Sequence, residues 1–146
     1  MRTFSEQRQL HHSADGLFEI IADVDRYAEF LPWCVASRIR ERKPDGTLIA
    51  DLSIGYGSLR ETFTSRVAVD SENSRITTVQ EAGPFRHLKS EWRLAPVSDS
   101  ETLVDFEIEF EFRSFLLDKV MGTVFESAAH KMIAAFETRA DSLLKR

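Results

Sequence analysis

The sequence predicts an α+β fold: a curled antiparallel sheet of about seven strands, wrapped around one long C-terminal helix. Two observations carry this. From Val104 to Phe112 apolar residues stand at every second position (Val104, Phe106, Ile108, Phe110, Phe112), with Asp105, Glu107, Glu109 and Glu111 between them. That is period two, a strand with one apolar and one charged face. The period then turns helical, with Leu117, Val120, Met121, Val124, Phe125, Ala128, Met132, Phe136, Ala140 and Leu143 on one stripe and only Gly122 as a weak breaker. A helix of about thirty residues, roughly 40 Å long, needs a broad apolar surface to lie on.

The elements follow in order. Residues 2–10 read as a first strand. Ser13 and Asp15 are helix-start signals, followed by Leu17, Phe18, Ile20, Ile21 and Val24 at helical spacing. A short helix or turn over Asp25 to Leu31 stops at Pro32, because a residue preceding proline avoids the helical region. Strands are expected at 34–43, 47–56, 59–69, 75–82, 87–95 and 102–112, separated by turn residues. On 59–69, Leu59, Phe63, Val67 and Val69 share a face with Glu61 and Ser65; on 87–95, Leu88, Trp92 and Leu94 oppose His87, Lys89, Glu91 and Arg93. Placing Trp92 opposite Phe106 sets Arg93 against Asp105 and Lys89 against Glu109, though it also opposes Glu91 to Glu107. The acidic row reads first as a solvated sheet face.

The 146 residues fit one domain, and 42% apolar content supplies a core. A net charge of −5 argues against nonspecific binding to nucleic acid, so no DNA partner is expected. The single Cys34 rules out an intrachain disulfide and suits a reducing compartment. No long apolar run suggests a membrane span, so the expectation is a cytoplasmic protein whose membrane contact is peripheral. His11, His12, His87 and His130 show no metal spacing, and Cys34 has no histidine partner legible in the sequence. Gly55-Tyr-Gly57 precedes a strand, so it is a hairpin turn and not a phosphate loop.

In a meander, successive turns fall at alternate ends of the sheet. One end receives the polar turns 43–46, 70–74 and 96–101. The other receives Phe30-Leu-Pro-Trp33, Gly55-Tyr-Gly-Ser58, Gly83-Pro-Phe85 and Ser114-Phe-Leu-Leu117. Apolar residues at loop tips suggest a cavity rim, a membrane-touching edge or a partner surface, or else a plug that closes the sheet. Polar groups on apolar strand faces (Glu61, Ser65, Thr78, Gln80, Ser90) could hydrogen-bond a ligand head, and a buried Glu61 would carry a raised pKa. No acid–base pair is defined, so catalysis is not expected.

Phe30-Leu-Pro-Trp-Cys34, the Gly83-Pro-Phe85 turn followed by Leu88 and Trp92, and Phe106-Glu-Ile-Glu-Phe-Glu-Phe112 entering an amphipathic helix resemble the coenzyme Q-binding START-domain family. That family lies within the polyketide cyclase/dehydrase and lipid-transport group and includes bacterial ribosome-association toxins. The resemblance spans about residues 3–144; it departs at Ala28, where many relatives carry proline. It implies a helix-grip fold around an apolar tunnel, with ubiquinone or a similar isoprenoid as ligand, no other cofactor, and a role in respiratory electron transport. It also implies a competing role, blocking ribosomal subunit association, and more remotely an aromatase/cyclase-type activity. On this basis Phe63, Trp92, Phe106, Ile108, Phe110, Phe125, Met132 and Phe136 are expected to line the tunnel. Leu31, Trp33, Tyr56, Phe85 and Phe115 are expected at its mouth, meeting the bilayer interface. Glu61, Ser65 and Ser90 are expected at the ligand's polar head.

Overall fold

The computed structural model describes residues 1–144, apart from the side chain of Tyr56. Seven antiparallel strands form one sheet: β1 (Arg2–Leu10), β2 (Cys34–Arg42), β3 (Thr47–Tyr56), β4 (Leu59–Asp70), β5 (Arg75–Ala82), β6 (Phe85–Ser98) and β7 (Glu101–Phe112). Their order is β1-β7-β6-β5-β4-β3-β2, a meander from β2 to β7 with the first strand added beside the last. The chain crosses from one sheet edge to the other through helix α1 (Ala14–Ala22) and a 3-10 turn over Val24–Glu29. Ser13 caps α1, its hydroxyl accepting from Gly16 N at 3.1 Å. The 3-10 turn ends ahead of Pro32, and Asp25 accepts from the Ile39 amide of edge strand β2 at 2.5 Å.

Trp92 faces Phe106, Arg93 faces Asp105 and Lys89 faces Glu109 across β6 and β7, the register that the apolar alternation predicts. The side chains pair diagonally rather than straight across. Arg93 bonds both Glu91 and Glu107, so one guanidinium neutralises the two carboxylates that the register sets face to face. Those hydrogen bonds, that to Glu107 first, raise the Arg93 pKa further. His87 Nε2 lies 2.9 Å from Glu109, and Asp105 accepts from Gln7 at 3.0 Å.

The long C-terminal helix is two helices, α2 (Phe115–His130) and α3 (Met132–Leu143), broken at Lys131. Lys131 has φ −105° and ψ 7°, outside the helical basin, and its N–H bonds the carbonyls of Ala128 and Ala129. The bend lets both halves follow the curled sheet. Phe125 packs on Trp33, Phe85 and Phe110, whereas Phe136 packs on Tyr27, Phe30 and Trp92. The buried stripe shifts accordingly: Ile133 is fully buried, while Val120 and Leu143, expected inside, are exposed. Strand β6 also runs longer than 87–95, taking in Phe85 at its start.

Candidate functional site

The inward faces of β3 to β7 and the two C-terminal helices enclose an apolar interior, most of it filled. Phe85, Phe106, Phe110 and Phe112 are each 2% exposed or less. Phe85 stacks on Phe112 with ring centroids 4.4 Å apart, and Trp92 meets Phe106 at the same distance. What remains is a void of about 60 Å³, far below the volume that a drug-sized ligand needs. Phe63, Trp92, Phe106, Ile108, Phe125, Met132 and Phe136 line it. Phe110, expected beside them, is instead wedged between Phe85 and Phe125. Where the resemblance implies an open tunnel there is a contracted void, because aromatic rings pack closely against one another across the sheet.

A larger hollow of about 770 Å³ lies outside the grip, between the 30–33 segment and the faces of α2 and α3. Phe30, Leu31, Trp33, Val124, Ala128, Met132 and Ala135 give it an apolar floor, and Lys131, Thr138, Arg139 and Ser142 give it polar edges. Arg139 stands 5.0 Å over the Phe30 ring and bonds Glu29 at 2.6 Å, clamping one side. Trp33 and Met132 line both hollows. They form the wall between the outer groove and the inner void.

The residues expected at a tunnel mouth do not stay together. Trp33 is half-buried at the wall, and Leu31 is buried in the groove floor. Phe85 is sealed in the core at 0% exposure, a correction to its rim assignment. Its backbone is clamped by Gln80, whose amide donates to Phe85 O at 2.7 Å and accepts from Phe85 N at 3.0 Å. Gln80 thus serves the turn and not a ligand. Phe115 is 86% exposed and lines neither hollow. The Tyr56 side chain lies outside the described residues.

Of the polar candidates, Ser90 lines the void together with Thr78. Ser65 is fully buried, its hydroxyl donating to Ala50 O at 3.4 Å. Glu61 is half-buried and stands outside the void's lining. Tyr27, not singled out as a site residue in the sequence, also lines the void. Its hydroxyl donates to Ile21 O, and burial holds its pKa above the ordinary tyrosine value. Leu52, Val67 and Leu88 join it there, in phase with Phe63 and Trp92 on their strands, a signal the alternation already carried. Burial likewise pushes the Cys34 thiol up to about 11, so it is a poor nucleophile. Among the described residues no group of three His, Cys, Asp or Glu could hold a metal ion. No described helix is long and apolar enough to cross a membrane.

A seven-stranded sheet closed over a two-segment helix defines a helix-grip protein. The fold is that of the aromatase/cyclase Zhui from Streptomyces sp. R1128, with TM-score 0.85, 21% identity, and 99% of this chain and 96% of that one covered. The chain belongs to the polyketide cyclase/dehydrase and lipid transport family, whose model matches residues 10–137. It is 38% identical to the ribosome association toxin RatA of Rickettsia prowazekii, over 99% of this chain and all of that protein. It is also 31% identical to the mitochondrial coenzyme Q-binding protein COQ10 homolog B of Xenopus laevis, over 98% of this chain and 59% of that protein's length.

Proposed function

We propose that this protein binds a hydrophobic isoprenoid of the ubiquinone type and carries it in support of respiratory electron transport, without transforming it. The observation behind this reading is the shared wall: Trp33 and Met132 separate an apolar groove of about 770 Å³ from a void whose lining includes the Ser90 and Thr78 hydroxyls. Rotation of those two side chains joins the hollows. A quinone carbonyl only accepts hydrogen bonds, and the Ser90 and Thr78 hydroxyls can donate them. Each tail methylene removed from water contributes about 0.8 kcal/mol, which favours the groove over solvent for even a short prenyl chain. The likeness to a coenzyme Q-binding protein along nearly the whole chain agrees with this reading.

The test is twofold. Organic extracts of the protein purified from its native host should contain quinone in near-stoichiometric amount. Added short-chain quinone should quench the fluorescence of Trp33 and Trp92, and Met132→Phe, which narrows the junction, should weaken that quenching. Absence of both quinone and quenching removes the proposal.

A second reading rests on the 38% identity to a ribosome association toxin along its full length. Here the chain would dock on a ribosomal subunit and hinder joining. With a net charge of −5 it would do so through basic protein surface more readily than through phosphate. Sucrose-gradient profiles after overexpression decide it: an unchanged ratio of joined to free subunits counts against this role.

A further inference from the structure

The outer face of α2 is unusual at its start. Phe115 is 86% exposed, Leu116 69% and Val120 39%, on one side of the first two turns. Soluble helices place such side chains against a core; here they project into solvent. The strip does not end there. Val120, Val124 and Ala128 follow at intervals of four, and Val124 and Ala128 already belong to the groove. An apolar track thus runs from the protruding tip into the hollow.

The charges around the track are sorted. Both acids of α2, Asp118 and Glu126, are held by Arg2 of β1 at 3.4 and 3.5 Å. Exposed Arg113 precedes the helix cap, exposed Lys119 sits between Leu116 and Val120, and exposed Lys131 stands at the groove's edge. Neither Lys119 nor Lys131 makes an ion pair among the described residues. The helix N-terminus adds its own partial positive charge. In a chain of net charge −5, a tip combining bare apolar side chains with cations complements one surface chemistry, an anionic lipid bilayer.

We infer that the N-terminal turns of α2 dock this protein on an anionic bilayer. Phe115 and Leu116 enter the acyl boundary, Arg113 and Lys119 meet headgroup phosphates, and Val120 and Val124 lead a lipid-soluble ligand toward the groove. The last step rests on the isoprenoid reading above; the docking itself does not.

Co-sedimentation of the full chain with vesicles tests it, using phosphatidylcholine alone and phosphatidylcholine mixed with phosphatidylglycerol. Binding should favour the anionic vesicles and weaken with salt. The double change Phe115→Gln and Leu116→Gln, with both side chains already in water, should leave the circular dichroism melt unaltered and reduce vesicle binding about tenfold or more. Lys119→Glu should reduce binding to anionic vesicles about fivefold or more. The inference is overturned by absence of binding to anionic vesicles or by binding that the double variant retains. It is equally overturned by a concentration-dependent dimer that the double variant abolishes, which would assign the tip to a second copy of the chain. Quinone quenching measured without vesicles separates the two proposals: quenching with no vesicle binding defeats docking alone, and vesicle binding with no quenching defeats the ligand reading alone.

Discussion

Cys34 shows how burial sets chemistry at single residues. The thiol is 3% exposed and its pKa is raised from 9.0 to about 11 by desolvation, against weaker opposing interactions with the Ala36 backbone and the Ser37 side chain. Alkylation at pH 8 should therefore be far slower in the folded protein than in urea, and comparable rates would refute the burial. The pH dependence has a definite sign. The unfolded thiol ionises first, so the folded state holds the extra proton between pH 9.0 and about 11. The contribution of Cys34 is fully present below that window and is lost as pH rises through it. Arg93 carries a second prediction. Arg93→Ala leaves Glu91 facing Glu107 uncompensated on a partly exposed surface, and stability should fall by up to about 1 kcal/mol. Chemical denaturation in low and high salt checks it, because screening should recover most of the loss.

At the level of elements, the turns position the site. Gly83 has φ +149°, and a Cβ there would stand 2.5 Å from Phe63 Cβ and 2.9 Å from Phe63 Cα. Gly83→Ala must therefore shift the β5–β6 turn, pulling at the Gln80 clamp on Phe85. A loss of about 2 kcal/mol or more in urea denaturation is expected, and an unchanged midpoint would show that the turn is not held so closely. The strand meander was legible because β7 alternates strictly and β4 and β6 nearly so, and Leu88, Trp92, Phe106 and Phe110 declare one face. The helix break was not. Lys131 is neither proline nor glycine, and the bend arises because Phe125 and Phe136 must both reach a curved sheet. No local period records that demand.

For the molecule as a whole, the question is how a nearly filled grip admits anything. Phe136 closes the void from α3 and touches Tyr27, Phe30 and Trp92. Phe136→Ala should cost about 3–5 kcal/mol in denaturant unfolding and enlarge the hollow behind the Trp33–Met132 wall. On the ligand reading, quinone affinity of the folded variant should rise while stability falls; a loss of stability with no gain in affinity would place the ligand elsewhere. Among the described residues, the ion pairs Arg8–Glu137 at 3.3 Å and Arg139–Glu29 at 2.6 Å, and the contact of buried His12 Nε2 with Asp141 at 2.6 Å, tie α3 to the rest. They join residues more than a hundred positions apart, which the order of the chain does not announce.

Alternation and helical period determined the strands and the register of β6 on β7, because each follows from neighbours a few residues apart and from a face that must avoid water; the family was legible only through the resemblance of a few motifs. The candidate site was only half legible. Period two told which side chains point inward, and most of the expected lining meets at the void. It could not tell how much space those rings leave. Only tertiary packing decided that Phe85 is core, that Gln80 holds a turn, that Phe115 stands in solvent, and that the larger hollow lies outside the grip. Volume and exposure are sums over distant elements, and a curled sheet sets them by where its two edges bring the helices to rest.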